Sequence, residues 1–191
     1  MASAGEFSRP YSRQGVMQFL ASFNVLPFRR FYIYHWRYSS LMKKAEDIQK
    51  QLKGLFDSQN LAVLATHNKG QPYASLVAFA ATEDLKYIYF VTPTTTRKYA
   101  NLTADGRVSV LVNSSANQSS DFHQAISVTA VGDAKEIKGT ERGQLQHIYL
   151  EKHPYLEEFA KSPTCALVRV TVRSYYLVRN FQKVLEFHLV K

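Results

Sequence analysis

From residue 41 onward, apolar and polar positions alternate in short blocks. Leu41, Ala45, Ile48, Leu52 and Leu55 recur at helical spacing, and Ser39 or Ser40 is placed to cap the start. Residues 61–66, reading LAVLAT, form a short apolar strand. His67-Asn68-Lys69-Gly70 carries turn chemistry and predicts a hairpin into a second strand over 71–81. Glu83-Asp84-Leu85 turns the chain into a third strand, 86–92, rich in Tyr, Ile, Phe and Val.

The spacing then predicts a short helix over 95–104, closed by Asp105-Gly106, and a half-buried strand over 107–113, where RVSVLVN alternates polar and apolar. A polar loop, 114–121, leads to a long strand over 125–137, in which Gly132 marks a bulge or bend. Helices are expected at 140–153 and 155–160, with Pro154 and Pro163 as breaks. Strands at 166–172 and 175–178 then pair with 184–190 to finish the sheet. Six or seven antiparallel strands with tight turns between them favour a closed or nearly closed barrel, because closure removes exposed edges. The expected class is mainly β with peripheral helices.

Length and charge refine this picture. A chain of 191 residues suits one domain with a sizeable core. No apolar run approaches the roughly 20 residues needed to cross a bilayer. Residues 1–40 are read as an N-terminal extension and 41–191 as the domain. The first 40 residues hold five arginines against Glu6 alone, and ten aromatics without a clean period. Such a segment matches a transit peptide or a membrane-surface segment as well as a loose extension, and the extension is the expectation carried forward. Met1–Phe7 reads as leader-type or appended sequence and stays outside the fold argument. Cys165 alone excludes an internal disulfide framework, and with no secretory signal the expected compartment is a reducing cytoplasm. The net charge of +9 is compatible with an anionic ligand such as a phosphorylated cofactor, or with nucleic acid.

One segment has the chemistry to hold an anion. Thr94, Thr95 and Thr96 precede a helix whose first turn carries Arg97 and Lys98. Free backbone amides and the positive dipole end favour an anion there. Hydroxyls add donors, Arg97 can bind two phosphate oxygens at once, and Lys98 supplies a point charge. A capped helix with two solvated bases would read the same, so these residues alone leave both meanings open.

Two longer segments resolve this by resemblance. The first is Ala65-Thr66, then Gly70-Gln71-Pro72-Tyr73, then Ser75-Leu76-Val77. The second is Tyr89-Phe90-Val91-Thr92, then Thr95-Thr96-Arg97-Lys98, then Asn101-Leu102 and Arg107-Val108-Ser109-Val110. In order, spacing and strand context the chain resembles the pyridoxamine-phosphate-oxidase-like FMN-binding split β-barrels over about 56–178. The resemblance implies a six- to seven-stranded antiparallel split barrel that works as a homodimer with FMN at the interface. It implies that Thr95, Thr96, Arg97 and Lys98 hold the phosphate, and that Ser75, Leu76, Val77, Val91 and Thr92 run along the flavin ring and ribityl chain. Gln124 or Ser127 would complete the neighbouring protomer's site.

Departures narrow the branch. The oxidases that the chain resembles carry further basic residues on the second strand, where Ser75 and Ala80 stand here, and an arginine-rich C-terminal stretch that 178–184 does not match. Vitamin B6 oxidation is therefore not expected, and the general or haem-utilisation branches are closer.

Other chemistry is sparse. His147 and His153 lie six apart, not at the i, i+4 spacing of a helical ligand pair, and no Cys or carboxylate cluster joins the six histidines, so no metal is expected. His123 is the candidate flavin- or substrate-side histidine, with an ordinary surface role as the commoner alternative. Cys165 opens an apolar strand and reads as a buried hydrophobe, and Tyr175-Tyr176 as strand packing. The absence of G-x-S-x-G and G-x-G-x-x-G removes hydrolase-elbow and dinucleotide-fold readings. The leading expectation is an FMN-dependent oxidoreductase whose chemistry resides in the flavin. Next comes a non-catalytic flavin or haem-handling protein, and nucleic-acid binding is last, because lysines and arginines are scattered and no binding motif occurs.

Overall fold

A computed structural model describes residues 46–179 and 183–189; the sequence reading of 1–40 lies outside them. Residues 46–58 are helical (α1), and its stripe Ile48, Leu52, Leu55 and Phe56 is buried. Phe56 adds an i+8 position to the sequence-predicted set. Its ring meets Phe79 edge-on at 5.4 Å and Tyr175 at 5.8 Å, so α1 plugs one end of a barrel.

Among the described residues the sheet has seven strands: β1 Leu61–Asn68, β2 Gln71–Ala81, β3 Tyr87–Pro93, β4 Arg107–Asn113, β5 Ile126–Ile137, β6 Cys165–Arg179 and β7 Lys183–His188. All are antiparallel, in the order β3-β2-β1-β4-β5-β6-β7, and β3 also pairs with β6. The result is a six-stranded closed barrel with β7 appended, the mainly β architecture expected from the sequence. The β1–β2 connection is the two-residue turn Lys69-Gly70, both at positive φ (48° and 85°), the hairpin geometry whose twist suits the flanking strands.

One expectation is corrected. The two strands read at 166–172 and 175–178 are a single 15-residue strand, β6. Its first half pairs with β3 (Tyr87↔Thr171) and its second with β7 (Ser174↔His188), while β5 runs along its other side. A register shift at Val131/Gly132 lets β6 pass Arg173 without breaking. Gly132 is required there: a Cβ would sit 2.2 Å from Thr171 O.

Alternation sorts side chains into two cores. Leu64, Phe79, Phe90, Val110, Val128 and Val170 face into the barrel, fully or almost fully buried. Outside, Tyr89, Val91, Cys165 and Leu167 are covered by α4 (Gly139–Lys152) and α5 (Glu157–Lys161), with a 3-10 turn at Pro154–Leu156 between them. At about 25 cal/mol per Å² of apolar area removed from water, these two clusters are the main stabilising term of the fold. The end of α4 ties them to α1. Lys152 Nζ donates to Phe56 O and Gln59 O, both at 2.6 Å, and lies 4.0 Å over the Phe79 ring. His153, fully buried, donates from Nε2 to Phe79 O at 2.9 Å.

Candidate functional site

The helix α2, Arg97–Ala104, starts two residues later than the predicted limit and ends where the sequence placed it. Thr96 is its N-cap: Oγ1 accepts from Tyr99 N at 3.4 Å and donates to Pro93 O at 2.8 Å. The buried Thr92 hydroxyl lies 3.1 Å from Thr96 Oγ1, and Thr94 bonds Thr164 O through both its N–H and its hydroxyl. These threonines are thus committed to holding the helix start. Thr95 is exposed, and the Arg97 and Lys98 amides are the first two of the donors that any helix start leaves unpaired.

The far side of α2 is anchored by a buried polar chain. Asn101 Nδ2 donates to Thr66 Oγ1 at 3.0 Å, and Thr66 Oγ1 to Tyr73 O at 3.3 Å. Neither Asn101 nor Tyr73 stood among the expected site residues. The signal available was a polar Asn at a position that helical spacing turns inward. Lys98 Nζ donates to Leu76 O at 3.2 Å, and burial lowers its pKa. The Arg97 guanidinium carbon lies 5.4 Å from the centre of the Tyr73 ring. Two cations from the first turn therefore lean onto the first half of β2.

That half of β2 is open on this side. Pairing between β2 and β3 covers only Phe79↔Phe90 to Ala81↔Ile88, so among the described residues 71–78 have no ladder partner toward α2. Ser75, on the same face of β2 as the core residues Val77 and Phe79, has its Oγ buried with no hydrogen-bond partner among the described residues. An orphaned buried hydroxyl costs about 1–3 kcal/mol unless a bound group meets it. The unpaired edge of β2 and the two cations thus lie together at the start of α2.

The other named residues divide. Leu76 is 62% exposed on the outer barrel face. Val77 and Val91 are buried, Val77 in the barrel core and Val91 under α4 and α5, so only their backbones are available to a ligand. His123 and Gln124 are exposed on α3, Asp121–Gln124, a short helix where the sequence pattern predicts loop and strand approach. Ser127 pairs with Asn113 and Val178 and lines a separate cleft of about 740 Å³.

The remaining described histidines are engaged elsewhere: His67 Nε2 is 3.2 Å from Asp105 Oδ2, His147 bonds Gln144 O, and His188 lies between Ser174 and Glu186. Among the described residues no group of three or more His, Cys, Asp or Glu side chains is placed to hold a metal. No helix there is long and apolar enough to cross a membrane. Cys165 is buried, and Tyr175, also buried, donates to Leu85 O at 2.6 Å, as strand packing requires.

A family model described as pyridoxamine 5'-phosphate oxidase matches residues 48–179. No curated protein matches the chain significantly. Solved structures with the same fold include a haem binding protein from Mycobacterium smegmatis, 18% identical, with a TM-score of 0.62 over 70% of this chain and 55% of that one. The match thus spans little more than half of that relative's length. A FAD-binding protein from Mesorhizobium loti is 17% identical, with a TM-score of 0.54 over 66% of this chain and 89% of that one. A Clostridium acetobutylicum protein related to general stress protein 26 of Bacillus subtilis, described as of the pyridoxinephosphate oxidase family, is 15% identical, with a TM-score of 0.59 over 75% and 96%. At these identities the likeness is one of fold.

Proposed function

Because the chain belongs to the pyridoxamine 5'-phosphate oxidase family, we propose that it is a flavoprotein holding FMN at the β2–α2 gap, an oxidoreductase of the general or haem-utilisation type. The observation that carries this reading is the Lys98–Leu76 O bond, which draws the cationic helix start onto the unpaired edge of β2. Arg97, Lys98, Thr95 and the first helix amides would take the phosphate, with Thr92 and Thr96 holding that end in shape. Ser75 and the backbone of Leu76, Val77, Val91 and Thr92 would border the ribityl chain and ring. When bound, the flavin supplies hydride transfer at its N5, and the protein contributes position and electrostatics.

A second copy of the chain completes the proposal. The outer face of β2, β1, β4, β5 and β6 is apolar or small along a continuous row, Leu76–Val63–Leu111–Thr129–Tyr176. Leu61 and Leu76 on it are 55% and 62% exposed, the kind of patch that marks an interaction surface. A homodimer through this face would bring Ser127 and Gln124 of one protomer toward the cofactor of the other. His123, on the helix that carries Gln124, would be the candidate flavin- or substrate-side histidine. Residues 41–191 form the cofactor domain, and the buried free Cys165 suits a reducing cytoplasm.

The test is the absorption spectrum of the purified protein, with mass analysis of whatever heat releases. Flavin bands and a released mass of FMN are expected. A Soret band in their place would move the assignment to haem. Arg97→Ala combined with Lys98→Ala should abolish flavin retention while the far-ultraviolet circular dichroism spectrum stays that of the wild type. Unchanged occupancy in that variant would show that the phosphate is held elsewhere.

A further inference from the structure

Where β5 shifts register against β6, Val131 pairs with Ser174 and Gly132 with Val172, so Arg173 is the extra residue of β6. The shift puts two successive side chains on the outer face of the barrel. Val172 and Tyr175 on either side are buried, whereas Arg173 is exposed and Ser174 half-buried. Bulges re-aim side chains in this way and are over-represented next to active sites. β7 then supplies two partners in direct register, His188 opposite Ser174 and Glu186 opposite Tyr176. All four share the outer face, because Leu185 and Phe187, which alternate with them on β7, pack against the core.

Ser174 Oγ lies 2.8 Å from His188 Nδ1, and His188 Nε2 lies 3.1 Å from Glu186 Oε1. A carboxylate can only accept. The Nε2 that faces it therefore carries the proton, and the neutral ring presents Nδ1 as an acceptor to the Ser174 hydroxyl. The Tyr176 hydroxyl donates to Glu186 as well, a bond that raises the tyrosine pKa. These are a nucleophile, a base and an orienting carboxylate within hydrogen-bond reach, a set recognised by geometry and roles whatever its order in the chain. Arg173, beside the nucleophile on the same face, brings the positive charge that a tetrahedral oxyanion needs. Its Nη1 is 3.1 Å from Asp133 Oδ2, and among the described residues Nε and Nη2 have no bond.

We propose that Ser174, His188, Glu186 and Arg173 form a second site, which transfers the acyl group of small esters to Ser174 and then to water. Ser174 Oγ bonds to the ester carbonyl carbon as its proton passes to His188 Nδ1, with Arg173 facing the oxyanion. The C–O bond to the alcohol then breaks, and His188 gives the proton to the leaving oxygen. Water attacks the acyl-serine, again with His188 as base, and the carboxylic acid and the free serine are released. Glu186 is a positioning residue that holds the imidazole in the required tautomer. The His188 and Glu186 side chains are 66% and 45% exposed, so the site takes a short acyl group with an unhindered carbonyl. Ser174 stands four positions along β6 from Val178, the partner of Ser127, or roughly 13 Å at the strand rise, outside the residues assigned to FMN.

The probe is p-nitrophenyl acetate, given to the full chain as purified. Release of p-nitrophenolate is expected at least tenfold faster than from Ser174→Ala, and peptide mass mapping after an acid quench should place the acetyl group on Ser174. His188→Ala should lose at least tenfold and recover severalfold in added imidazole, measured over a His188→Ala, Ser174→Ala double variant. Glu186→Gln should slow acylation severalfold, with part of the loss recovered in Glu186→Asp, and Arg173→Gln should slow it severalfold. An equal rate in Ser174→Ala, acetyl groups on lysines alone, or no response to imidazole would overturn the proposal. The mapping is made on the wild-type chain and stands whatever the variants do to folding. Flavin content is read separately by absorption and should be the same in Ser174→Ala, so failure of the flavin reading leaves this test intact.

Discussion

Two glycines separate what a residue does by space from what it does by conformation. Gly132 sits where β5 shifts register against β6, with Thr171 O 2.2 Å from the place of a Cβ. Gly132→Ala must push strand backbone aside, and a loss of about 1–3 kcal/mol is expected in urea unfolding, the range of other overpacked sites. Gly54 is helical and exposed, with nothing within 4 Å of a Cβ. Gly54→Ala should therefore gain about 0.5–1 kcal/mol, because glycine inside a helix carries the larger entropy loss. If both variants shift stability in the same direction, the register shift is misplaced. The bulge at Gly132 was legible, since a lone glycine in an apolar run signals one. The identity of its opposing carbonyl was not, because Thr171 lies 39 positions away and only barrel closure brings it there.

At the scale of elements, the joint between α4 and α1 controls how stability responds to pH. His153 is fully buried and neutral, with Nε2–H on Phe79 O and Nδ1 3.3 Å from the Tyr155 hydroxyl. Burial, opposed by the Phe79 bond and assisted by Lys152, lowers its pKa below the ordinary 6.5. The unfolded chain then binds a proton near pH 6.5 that the folded chain takes up only at lower pH. Stability from this group is full above 6.5 and falls as the pH drops from there toward the folded pKa. His153→Gln should flatten that part of the urea-midpoint profile, and an unaltered slope would assign it to another group.

Lys152 behaves likewise on the alkaline side. Burial lowers its pKa to about 8 from 10.5, so the unfolded chain binds more protons between those values and stability rises with pH across them. Lys152→Met should remove that rise and, by leaving Phe56 O and Gln59 O without their donor, lower the stability by about 1–3 kcal/mol at neutral pH. Helical spacing locates both helices and the break at Pro154, yet it carries no sign of this pair. A lysine and a histidine at a helix end look solvated until a distant helix packs on them.

For the whole molecule, the expected outcome concerns assembly. Leu61→Asp with Leu76→Glu places two charges on the exposed apolar face and should convert a dimer into a monomer by light scattering, with flavin lost in parallel if the interface borders the cofactor. A monomeric wild type would remove the second protomer from the site.

Local chemistry written in the chain was enough for the strand series, the Lys69-Gly70 hairpin and the threonine-and-cation start of α2, because period, turn preference and capping act over a few neighbours. Tertiary structure alone decided the rest. It ran β6 unbroken past Arg173, opened the β2 edge opposite α2, buried Val77 and Val91 away from a ligand, and left Ser75 Oγ without a partner. Each of these depends on which strands meet when the barrel closes, and closure joins residues as far apart as Tyr87 and Thr171, a pairing that no local pattern encodes.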